Sequence, residues 1–381
     1  MTPIPPEEAW RRIEARLQRR PTTRVDRRAA VGRVLAAPLG ATVDVPGQDV
    51  SAMDGFALAG AVSAGDALPV VGVVAAGDRP GAELARGNAL RIMTGAPIPD
   101  GCDRVIPIEQ TEVEGDRVVV AATVAAGSWI RRRGEVLAQG ATLLADGSLL
   151  TPGALSLLAT HGYTEVPVVA RPRVAVLTTG DEVVPPEATP LPGQLRDSHT
   201  DFLLGAVSAL GIEGRSLGIA PDDAGPLRRL VAEGLESDVL LLTGGVSMGE
   251  FDLVEDVLED LGCRPLYDSV AIQPGKPMVA ASHDRGLVFA LPGNPASAMV
   301  CYWLLVRPAL RRMMGIHTGF WAEALEATLA AAAPGARGRD RLLPARVSFA
   351  GGRIDVSPVT PKGSHDLASY ARGTALLRIP A

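Results

Sequence analysis

Residues 240–252, LLLTGGVSMGEFD, form an apolar run that ends in paired glycines, a serine, a third glycine and two acids. Within this run, residues 245–249 match G-x-S-x-G, the pattern that places a hydrolase serine on a sharp strand-to-helix turn. The same residues also suit an anion, because glycine lets backbone N–H groups approach an oxyanion closely. The segment therefore raises two alternatives for Ser247, a nucleophile or a member of an anion-binding loop.

The surrounding sequence favours the anion-binding alternative. Two other apolar runs end in similar turns, TTGDE at residues 178–182 and LPGNPAS at residues 291–297. In a doubly wound sheet the parallel strands point the same way, so such turns gather at the edge where ligands bind. A hydrolase would also need a histidine partner, and His283, His317 and His365 lie in no recognisable partner motif.

The three turns supply donors for a phosphate and acids for a metal ion. The candidate donors are the main-chain N–H groups of Gly244, Gly245 and Gly293 and the hydroxyls of Ser247 and Ser297. Asp252 would repel a phosphate unless a divalent cation lay between them, so we predict an Mg²⁺ site at Asp252 with Asp181 or Glu182. The alternative is that these acids only cap helices.

Composition excludes several classes of protein. The chain has 381 residues, which predicts more than one domain, and its 47% hydrophobic content is that of a globular protein. A net charge of −6 argues against nucleic-acid and membrane-surface partners. Three widely spaced cysteines predict neither disulfides nor a zinc site. With no signal-peptide pattern at the N-terminus, we predict a cytoplasmic protein.

Cations in this sequence are almost always arginine, since 35 arginines accompany only two lysines, Lys276 and Lys362. Both lysines lie in Gly/Pro loops, QPGKP and PKGSH. A compact ammonium suits a phosphate or oxyanion where a planar guanidinium does not. Chance is the alternative explanation. The basic run of Arg131, Arg132 and Arg133 could likewise be a solvated turn or a phosphate contact.

Patterning predicts four regions. Prolines and acids followed by Trp10 and Ile13 predict a first helix, and residues 141–169 are predicted to be helical as well. Short strands at 69–74, 89–93, 105–109 and 117–124 predict an inserted β-domain. Strands at 174–177, 239–242 and 286–291 alternate with helices, which predicts a doubly wound parallel sheet. Strands at 342–349, 353–359 and 375–379 predict a small β-domain at the C-terminus.

Seven motifs in this order resemble those of the MoeA-type molybdopterin molybdenumtransferases, a family that includes the gephyrin E domain. They are SAMDGFA at 51–57, RIMTGAP at 91–97, RRRGE at 131–135, TGDE at 179–182, GGVSMG at 244–249, PGKP at 274–277 and LPGNP at 291–295. The resemblance covers nearly the whole chain.

The resemblance implies an α/β multidomain fold. It implies a split helical domain of residues 1–45 and 138–170, with an inserted β-domain of residues 46–137. A doubly wound α/β molybdopterin-binding domain would occupy residues 171–317, and a small β-barrel residues 318–381. The family forms elongated homodimers, so we expect Asp54 and Thr94 to act in the cleft of the partner subunit.

The implied reaction is insertion of molybdate into adenylylated molybdopterin, with Mg²⁺-dependent release of AMP. A molybdopterin adenylyltransferase is then an expected partner. The resemblance implies catalytic roles for Asp54, Thr94, Glu182 and Lys276 and a metal site at Asp252 and Asp181. The implied substrate-binding residues are Gly180, Asp181, Gly244, Gly245, Ser247, Pro292, Gly293, Asn294, Ser297, Arg339 and Ser364, of which Ser297, Arg339 and Ser364 would join Lys276 around molybdate.

Two positions depart from the family pattern. Val136 follows RRRGE where the family usually has an acid, and Gln273 stands where it commonly has a lysine. One negative and one positive charge are therefore missing. These losses motivate an alternative function, a degenerate paralogue that binds molybdopterin or molybdate without turnover or serves as a dimeric scaffold. A single-domain adenylyltransferase is disfavoured, because it would leave the β-domains unexplained.

Overall fold

The computed structural model describes residues 2–79, 83–245 and 253–381, so the predicted site residues Ser247 and Asp252 lie outside the described residues. The chain divides into two compact units, a large unit of residues 1–23 and 168–381 and a small unit of residues 24–167. No helix among the described residues combines the length and the apolar character needed to cross a bilayer. The boundaries of the four domains stay a prediction.

The chain begins with the predicted amphipathic helix, α1 (Pro6–Glu14). Proline occupies the first position of α1, where a backbone N–H would have no partner within the helix. Glu7 and Glu8 lie in the first turn, where their negative charges interact favourably with the helix dipole. The helix buries Trp10 and Ile13 in the core of the large unit. Strand β1 (Thr22–Asp26) follows.

The small unit consists mainly of short strands. In chain order these are β2 (Leu39–Gly40), β3 (Val50–Ser51), β4 (Gly55–Leu58), β5 (Ala67–Val74), β6 (Ala89–Ile92), β7 (Arg104–Pro107), β8 (Thr111–Glu114), β9 (Arg117–Val120), β10 (Ile130–Arg131), β11 (Thr142–Leu144) and β12 (Glu165–Val169). Two 3₁₀ turns (Arg27–Ala30 and Ile108–Gln110) and helix α2 (Pro152–Thr160) complete it.

Six of these strands form one sheet, in the order β7-β4-β6-β5-β9-β8. Strand β4 is buried on both faces, because Phe56 and Leu58 belong to one apolar cluster and Ala57 to another. Gly55 has no room for a side chain, since a Cβ there would lie 1.9 Å from the carbonyl oxygen of Ile106 on β7. This packing confirms the β-rich character predicted for the inserted segment.

The prediction of a helix over residues 141–169 was wrong in its extent. Only α2 is helical, with Thr151 as its N-cap and Gly162 just past its end. Residues on either side form β11 and β12. Leucines occur in both β11 and α2, and the three valines of β12 are all buried, so apolar composition alone did not separate strand from helix in this stretch.

The large unit alternates strands and helices after residue 168. Its elements are β13 (Val174–Thr179), β14 (Val183–Val184), β15 (Leu195–Arg196), α3 (His199–Ser208), β16 (Gly214–Ala220), α4 (Ala224–Gly234), β17 (Val239–Thr243), α5 (Leu253–Asp260), β18 (Arg264–Ser269), β19 (Ile272–Gln273), β20 (Pro277–His283), β21 (Gly286–Leu291), α6 (Pro295–Cys301), a π-helical turn (Tyr302–Val306) and α7 (Arg307–Met313).

The main sheet has the order β16-β13-β17-β21-β20-β18. The first four strands are parallel, as predicted, whereas β20 and β18 pair antiparallel, so the sheet is mixed. Alternate residues of β13 enter two cores: Val174 and Val176 pack with residues of α1, α3, α6 and α7, and Ala175 and Leu177 with residues of α4 and α5. Helices therefore cover both faces of the sheet.

The C-terminal strands form a second sheet. Its strands are β22 (Thr328–Leu329), β23 (Asp340–Ala350), β24 (Arg353–Pro358) and β25 (Ala375–Ile379), with helix α8 (Leu367–Arg372) before the last strand. Strand β23 is central, since it pairs with β24, β25 and β19. The three strands predicted from the sequence are confirmed, and β19 links them to the segment that carries Lys276.

Gly286, the first residue of β21, allows a close approach of two strands. A Cβ at Gly286 would lie 1.8 Å from the carbonyl oxygen of Asp238. We expect Gly286→Ala to lower the free energy of unfolding by about 1–3 kcal/mol, the usual cost of overpacking a core. Chemical denaturation measures the change.

Gly205→Ala is the matched control, because no atom lies within 4 Å of a Cβ at that position of α3. Alanine in a helix interior should stabilise the chain by roughly 0.5–1 kcal/mol. Equal stability of the two variants would contradict the close approach at Gly286.

Candidate functional site

Three neighbouring parallel strands end level with one another. Thr178 of β13 pairs with Thr243 of β17, and Thr243 pairs with Leu291 of β21. The loops that follow therefore start side by side, at residues 180, 244 and 292. We call these three loops the strand-end loops. They are the turns that the sequence predicted to gather at one edge of the sheet.

Glycine is required at residue 244, where the first two strand-end loops touch. A Cβ on Gly244 would lie 2.6 Å from the carbonyl oxygen of Thr179, and one on Gly293 would lie 3.6 Å from the Cα of Gly244. The Gly244 N–H donates to the carbonyl of Leu291 at 3.2 Å. Gly244 has φ +90°, a value that side chains rarely allow. The Gly244 N–H is therefore committed to the sheet, which contradicts its predicted role as a free anion donor.

A chain of hydroxyls lies directly beneath the strand-end loops. The Thr179 hydroxyl donates to the Thr243 carbonyl at 3.2 Å, and the Thr243 hydroxyl contacts that of Thr178 at 3.3 Å. Thr178 in turn contacts Thr200 at 3.1 Å, whose hydroxyl donates to the Asp197 carboxylate at 2.6 Å. Each buried polar group in this row has a partner, which fixes the strand ends relative to one another.

His199, at the start of α3, supports the third strand-end loop, and the sequence did not single it out. Its Nε2 lies 3.0 Å from the Gly293 carbonyl oxygen, and its backbone N–H donates to Asp197. Burial lowers the pKa of His199 below its ordinary value, although Asp197 opposes this effect. A carbonyl only accepts hydrogen bonds, so the neutral imidazole carries its proton on Nε2.

The acids of the first strand-end loop are partly engaged. The Asp181 carboxylate accepts the N–H of Asp222 at 3.0 Å, and the N–H of Asp181 donates to the Asp222 carboxylate at 3.4 Å. Glu182 lies against Gly180, because a Cβ there would be 2.6 Å from its Oε2. Carboxylate oxygens are the donors that Mg²⁺ prefers, so Asp181 fits a Mg²⁺ site in chemical type. Among the described residues, however, no cluster of three or more metal-binding side chains forms.

A cavity of about 350 Å³ lies beside the third strand-end loop, and we call it the cationic pocket. The described residues that line it include no Asp or Glu. Those residues are Ile272, Gln273, Pro274, Gly275, Lys276, Pro277, Pro292, Asn294, Ser297, Arg339, Arg341, Leu343, Pro361, Gly363, Ser364 and Tyr370. Three cations without a neighbouring acid make this pocket attractive to an anion.

The cations of the pocket are not neutralised from within the described parts of the chain. Neither Lys276 nor Arg339 forms an ion pair there, and Arg341 donates only to the Gly335 carbonyl at 3.1 Å. The hydroxyls of Ser297 and Ser364 line the same space. Cations and hydroxyl donors together match a tetrahedral oxyanion, since charge-assisted hydrogen bonds are the strong ones.

The turn that carries Lys276 is fixed on α6. Gly275 has φ +105°, and a Cβ at this residue would lie 2.7 Å from the Cys301 sulfur. The Lys276 carbonyl accepts the N–H of Val270 at 2.9 Å. The backbone of Lys276 is therefore held from both sides, which leaves its side chain to enter the pocket.

The Ser364 loop is anchored by Asp366. Its carboxylate accepts the N–H groups of Lys362 and Ser369 and the Ser369 hydroxyl, at 2.7–3.1 Å. These bonds, the Lys362 N–H first, lower the pKa of Asp366 to about 2. The Ser364 carbonyl accepts the N–H of Ala296 in the first turn of α6. This loop therefore brings the C-terminal region to the same helix as the LPGNP turn.

In the small unit, Asp54 and Thr94 form a separate exposed pair. Both the N–H and the hydroxyl of Thr94 donate to Asp54 Oδ1, at 2.6 and 2.7 Å. These bonds, the backbone one first, lower the pKa of Asp54. The next residue, Gly95, donates its N–H to the Ser51 carbonyl at 2.8 Å. The motifs at 51–57 and 91–97 thus meet within the small unit, with a carboxylate held ionised at the surface. Their role in the cleft of a partner subunit stays a prediction.

The RRRGE run is mostly structural. Arg132 pairs with Asp49 and Arg133 with Asp44, each at 2.5 Å. Arg131 forms no ion pair with any described residue of the small unit. Of the three arginines, Arg131 is therefore the candidate for a ligand contact.

Several predicted site residues are thus brought together, and others are not described. Lys276, Pro292, Asn294, Ser297, Arg339 and Ser364 line one pocket. Sequence reasoning missed Arg341, Tyr370 and His199. Arg341 follows Arg339 by two residues, the strand spacing that places alternate side chains on one face, and this signal could have identified it. The remaining two reach the site only through tertiary packing.

Three family descriptions match successive parts of the chain. "MoeA N-terminal region (domain I and II)" matches residues 4–162, "Probable molybdopterin binding domain" residues 175–312, and "MoeA C-terminal region (domain IV)" residues 326–381. A "Molybdopterin molybdenumtransferase" from Synechococcus elongatus is 40% identical over 73% of this chain and 72% of its own. Another from Staphylococcus aureus is 30% identical over 99% of this chain and 92% of its own.

Solved structures agree over the full length. The crystal structure of a molybdopterin biosynthesis MoeA protein from Pyrococcus horikoshii superposes with a TM-score of 0.84 at 28% identity. The superposition covers 100% of the chain described here and 96% of the Pyrococcus horikoshii chain. The multidomain α/β fold predicted from the sequence is confirmed by this similarity.

Thr94→Val tests the hydrogen bonds that hold Asp54 ionised. The variant keeps the backbone donor and removes the hydroxyl donor, so we expect the pKa of Asp54 to rise toward its ordinary value. An NMR titration of the ¹³C-labelled carboxyl group measures it. Thr94→Ser, which retains the hydroxyl, should leave this pKa unchanged, and an equal rise in both variants would argue against the bond.

Proposed function

Because the chain belongs to the MoeA family, we propose that it is a molybdopterin molybdenumtransferase that inserts molybdenum into molybdopterin during molybdenum cofactor biosynthesis. The observation that carries the proposal is the cationic pocket. It joins Lys276, Ser297, Arg339 and Ser364 beside the third strand-end loop, with no acid among its described lining residues. The names of the relatives in two bacteria support the same activity.

Molybdate is the anion that we assign to the cationic pocket, as a substrate. It is a tetrahedral dianion at neutral pH, so two or three cations and several hydroxyl donors would neutralise and orient it. Lys276 and Arg339 are available, because neither is paired with a described carboxylate. Gln273 at the pocket rim adds an amide in place of a second lysine.

The strand-end loops would hold the phosphate portion of adenylylated molybdopterin next to this pocket. The N–H groups of Gly245 and Gly293 stay candidates for that contact. Asn294, which lines the pocket and follows Gly293 directly, connects the two sites. Such an arrangement would place the dithiolene end of the substrate toward molybdate, where the metal must be delivered.

We further propose that AMP is released from the adenylylated substrate during metal insertion. Asp181, with Asp252, would hold a Mg²⁺ ion, whose charge would neutralise the phosphates during cleavage. Glu182 beside Gly180 is the candidate to orient a water molecule that would attack phosphorus, so that the phosphoanhydride bond breaks and AMP leaves. Asp54, kept ionised by Thr94, would accept a proton or position the substrate from the partner subunit of a homodimer.

Binding without turnover is the second candidate function. Gln273 favours it, since the pocket carries one cation fewer than the family pattern would supply. Val136 is weaker support for binding without turnover, because this residue is 70% exposed and is not among the described residues that line the cationic pocket or form the strand-end loops. A molybdopterin adenylyltransferase partner and a cytoplasmic location also stay predictions. Release of AMP from adenylylated molybdopterin in the presence of molybdate separates an enzyme from a binding protein.

Lys276→Met tests the assignment of the cationic pocket. We expect the molybdate concentration that half-saturates AMP release to rise at least tenfold, because a charged hydrogen bond contributes about 1.5–3 kcal/mol. Lys276→Arg should recover only part of the loss, since the guanidinium is larger and spreads its charge. AMP quantified by chromatography gives the rates.

The other lysine of the chain provides the control. Lys362 is exposed and its side chain is not part of the pocket lining, so Lys362→Met should leave the molybdate dependence unchanged. If Lys276→Met behaves like Lys362→Met, molybdate does not bind where we propose. If the wild-type chain binds molybdate but releases no AMP, the binding function replaces the enzyme.

Mixing two impaired variants, assayed at a molybdate concentration far below the one that half-saturates Lys276→Met, tests the shared active site. If Asp54 serves the pocket of the partner subunit, Asp54→Ala and Lys276→Met chains should regain part of the activity when mixed. Heterodimers then carry one site in which both residues are intact. Subunit exchange, measured by native mass spectrometry, is the control, and no recovery after complete exchange would show that each chain forms its site alone.

A further inference from the structure

A second cavity, of about 190 Å³, lies in the large unit. Its charged and imidazole side chains are Arg16, Arg20, Arg264, His283, Asp284 and Arg285. The segment after α1 contributes the first two, and the β20–β21 hairpin the last three. No function proposed above uses this cavity, which we call the arginine cavity.

Positive charge exceeds negative charge in the arginine cavity. Arg20 is neutralised by Asp238, which is buried, at 3.0 Å. Arg16, Arg264 and Arg285 form no ion pair with described residues, and Asp284 is the one acid among the described lining residues. Three uncompensated arginines against one carboxylate leave an attractive potential for an anion.

Two buried nitrogen atoms of side chains that line the arginine cavity have no hydrogen-bond partner among the described atoms. The Nε atom of Arg20 and the Nδ1 atom of His283 are both buried and form no hydrogen bond with described atoms. Buried donors without partners are rare, because each costs the free energy of its lost hydration. Both atoms belong to side chains that line the same cavity, although neither atom is itself exposed to it. An anion in the cavity would therefore contact the exposed guanidinium groups of Arg16, Arg264 and Arg285.

We propose that the arginine cavity binds a tetrahedral oxyanion of the phosphate or molybdate class, either free or as the phosphate end of a small metabolite. Oxygen atoms on four sides of such an anion suit donors that arrive from separate elements. Guanidinium groups bind these oxygens through paired, charge-assisted hydrogen bonds. Asp284 would exclude a carrier with further negative charge on that side.

The arginine cavity is distinct from the cationic pocket. The two lie at opposite ends of β20, since Lys276 directly precedes the strand and His283 is its last residue. Seven extended residues span roughly 20 Å, at about 3.3 Å per residue. One oxyanion therefore cannot contact both sites, and the proposal does not rest on the proposed function.

Equilibrium dialysis of the full chain with molybdate, and separately with ³²P-labelled inorganic phosphate, tests the proposal. The test variant is Arg264→Gln/Arg285→Gln, because both side chains are exposed and form no ion pair with described residues. We expect at least tenfold weaker binding of one oxyanion per chain. Lys276→Met should still bind an oxyanion in the arginine cavity but lose binding in the cationic pocket. Loss of binding at one site is therefore distinguishable from loss at the other.

Arg229→Gln is the matched control, an exposed arginine of α4 outside the cavity. His283→Phe, which keeps a ring but removes both imidazole nitrogens, should weaken binding several-fold at the same site. Thermal unfolding checks that each variant is folded. The proposal is wrong if folded Arg264→Gln/Arg285→Gln binds both anions as Arg229→Gln does, or if all binding disappears in Lys276→Met. Preference for phosphate or for molybdate at the retained site identifies which oxyanion the arginine cavity binds.

Discussion

The candidate site depends on three loops lying side by side at the ends of three parallel strands, with no room for a Cβ at residue 244, where the first two loops touch. Gly244 satisfies this constraint by packing on Thr179 on one side and facing Gly293 on the other. The threonine row beneath keeps the strand ends level, because each hydroxyl has a partner in the next strand or in α3. A side chain at Gly244 would push the first two loops apart, because its Cβ would collide with Thr179.

The cationic pocket depends on this edge through α6. This helix begins directly after the third strand-end loop. Gly275 packs against Cys301 at the end of the helix, and the Ser364 carbonyl accepts the N–H of Ala296 at its start. A cation from residue 276 and one from residue 339 thus reach one small volume although they are far apart in sequence. The buried cysteine has a raised pKa because of burial and acts here as an apolar contact.

The sequence predicts what local patterning controls. Apolar runs followed by glycine turns predicted β13, β17 and β21 and their common edge. The family resemblance predicted six of the residues that line the cationic pocket but not Arg341 or Tyr370. The sequence did not predict β18 and β20, whose antiparallel pairing is decided by tertiary contacts. It also missed His199, since nothing near residue 199 indicates that its imidazole will meet the carbonyl of Gly293. Ser247 and Asp252 lie outside the described residues, so their roles rest on sequence.

Arginine is so common in this chain that its presence alone carries little information about function. Pairing separates the arginines into two groups. Arg132 and Arg133 are held by Asp49 and Asp44, and this arrangement shapes a turn of the small unit. Arg339, by contrast, has no described carboxylate beside it, in a pocket whose described lining contains none. Leaving a half-buried cation unpaired lowers stability unless an anion compensates it, so the absence of a neighbouring acid indicates binding more strongly than the residue type does.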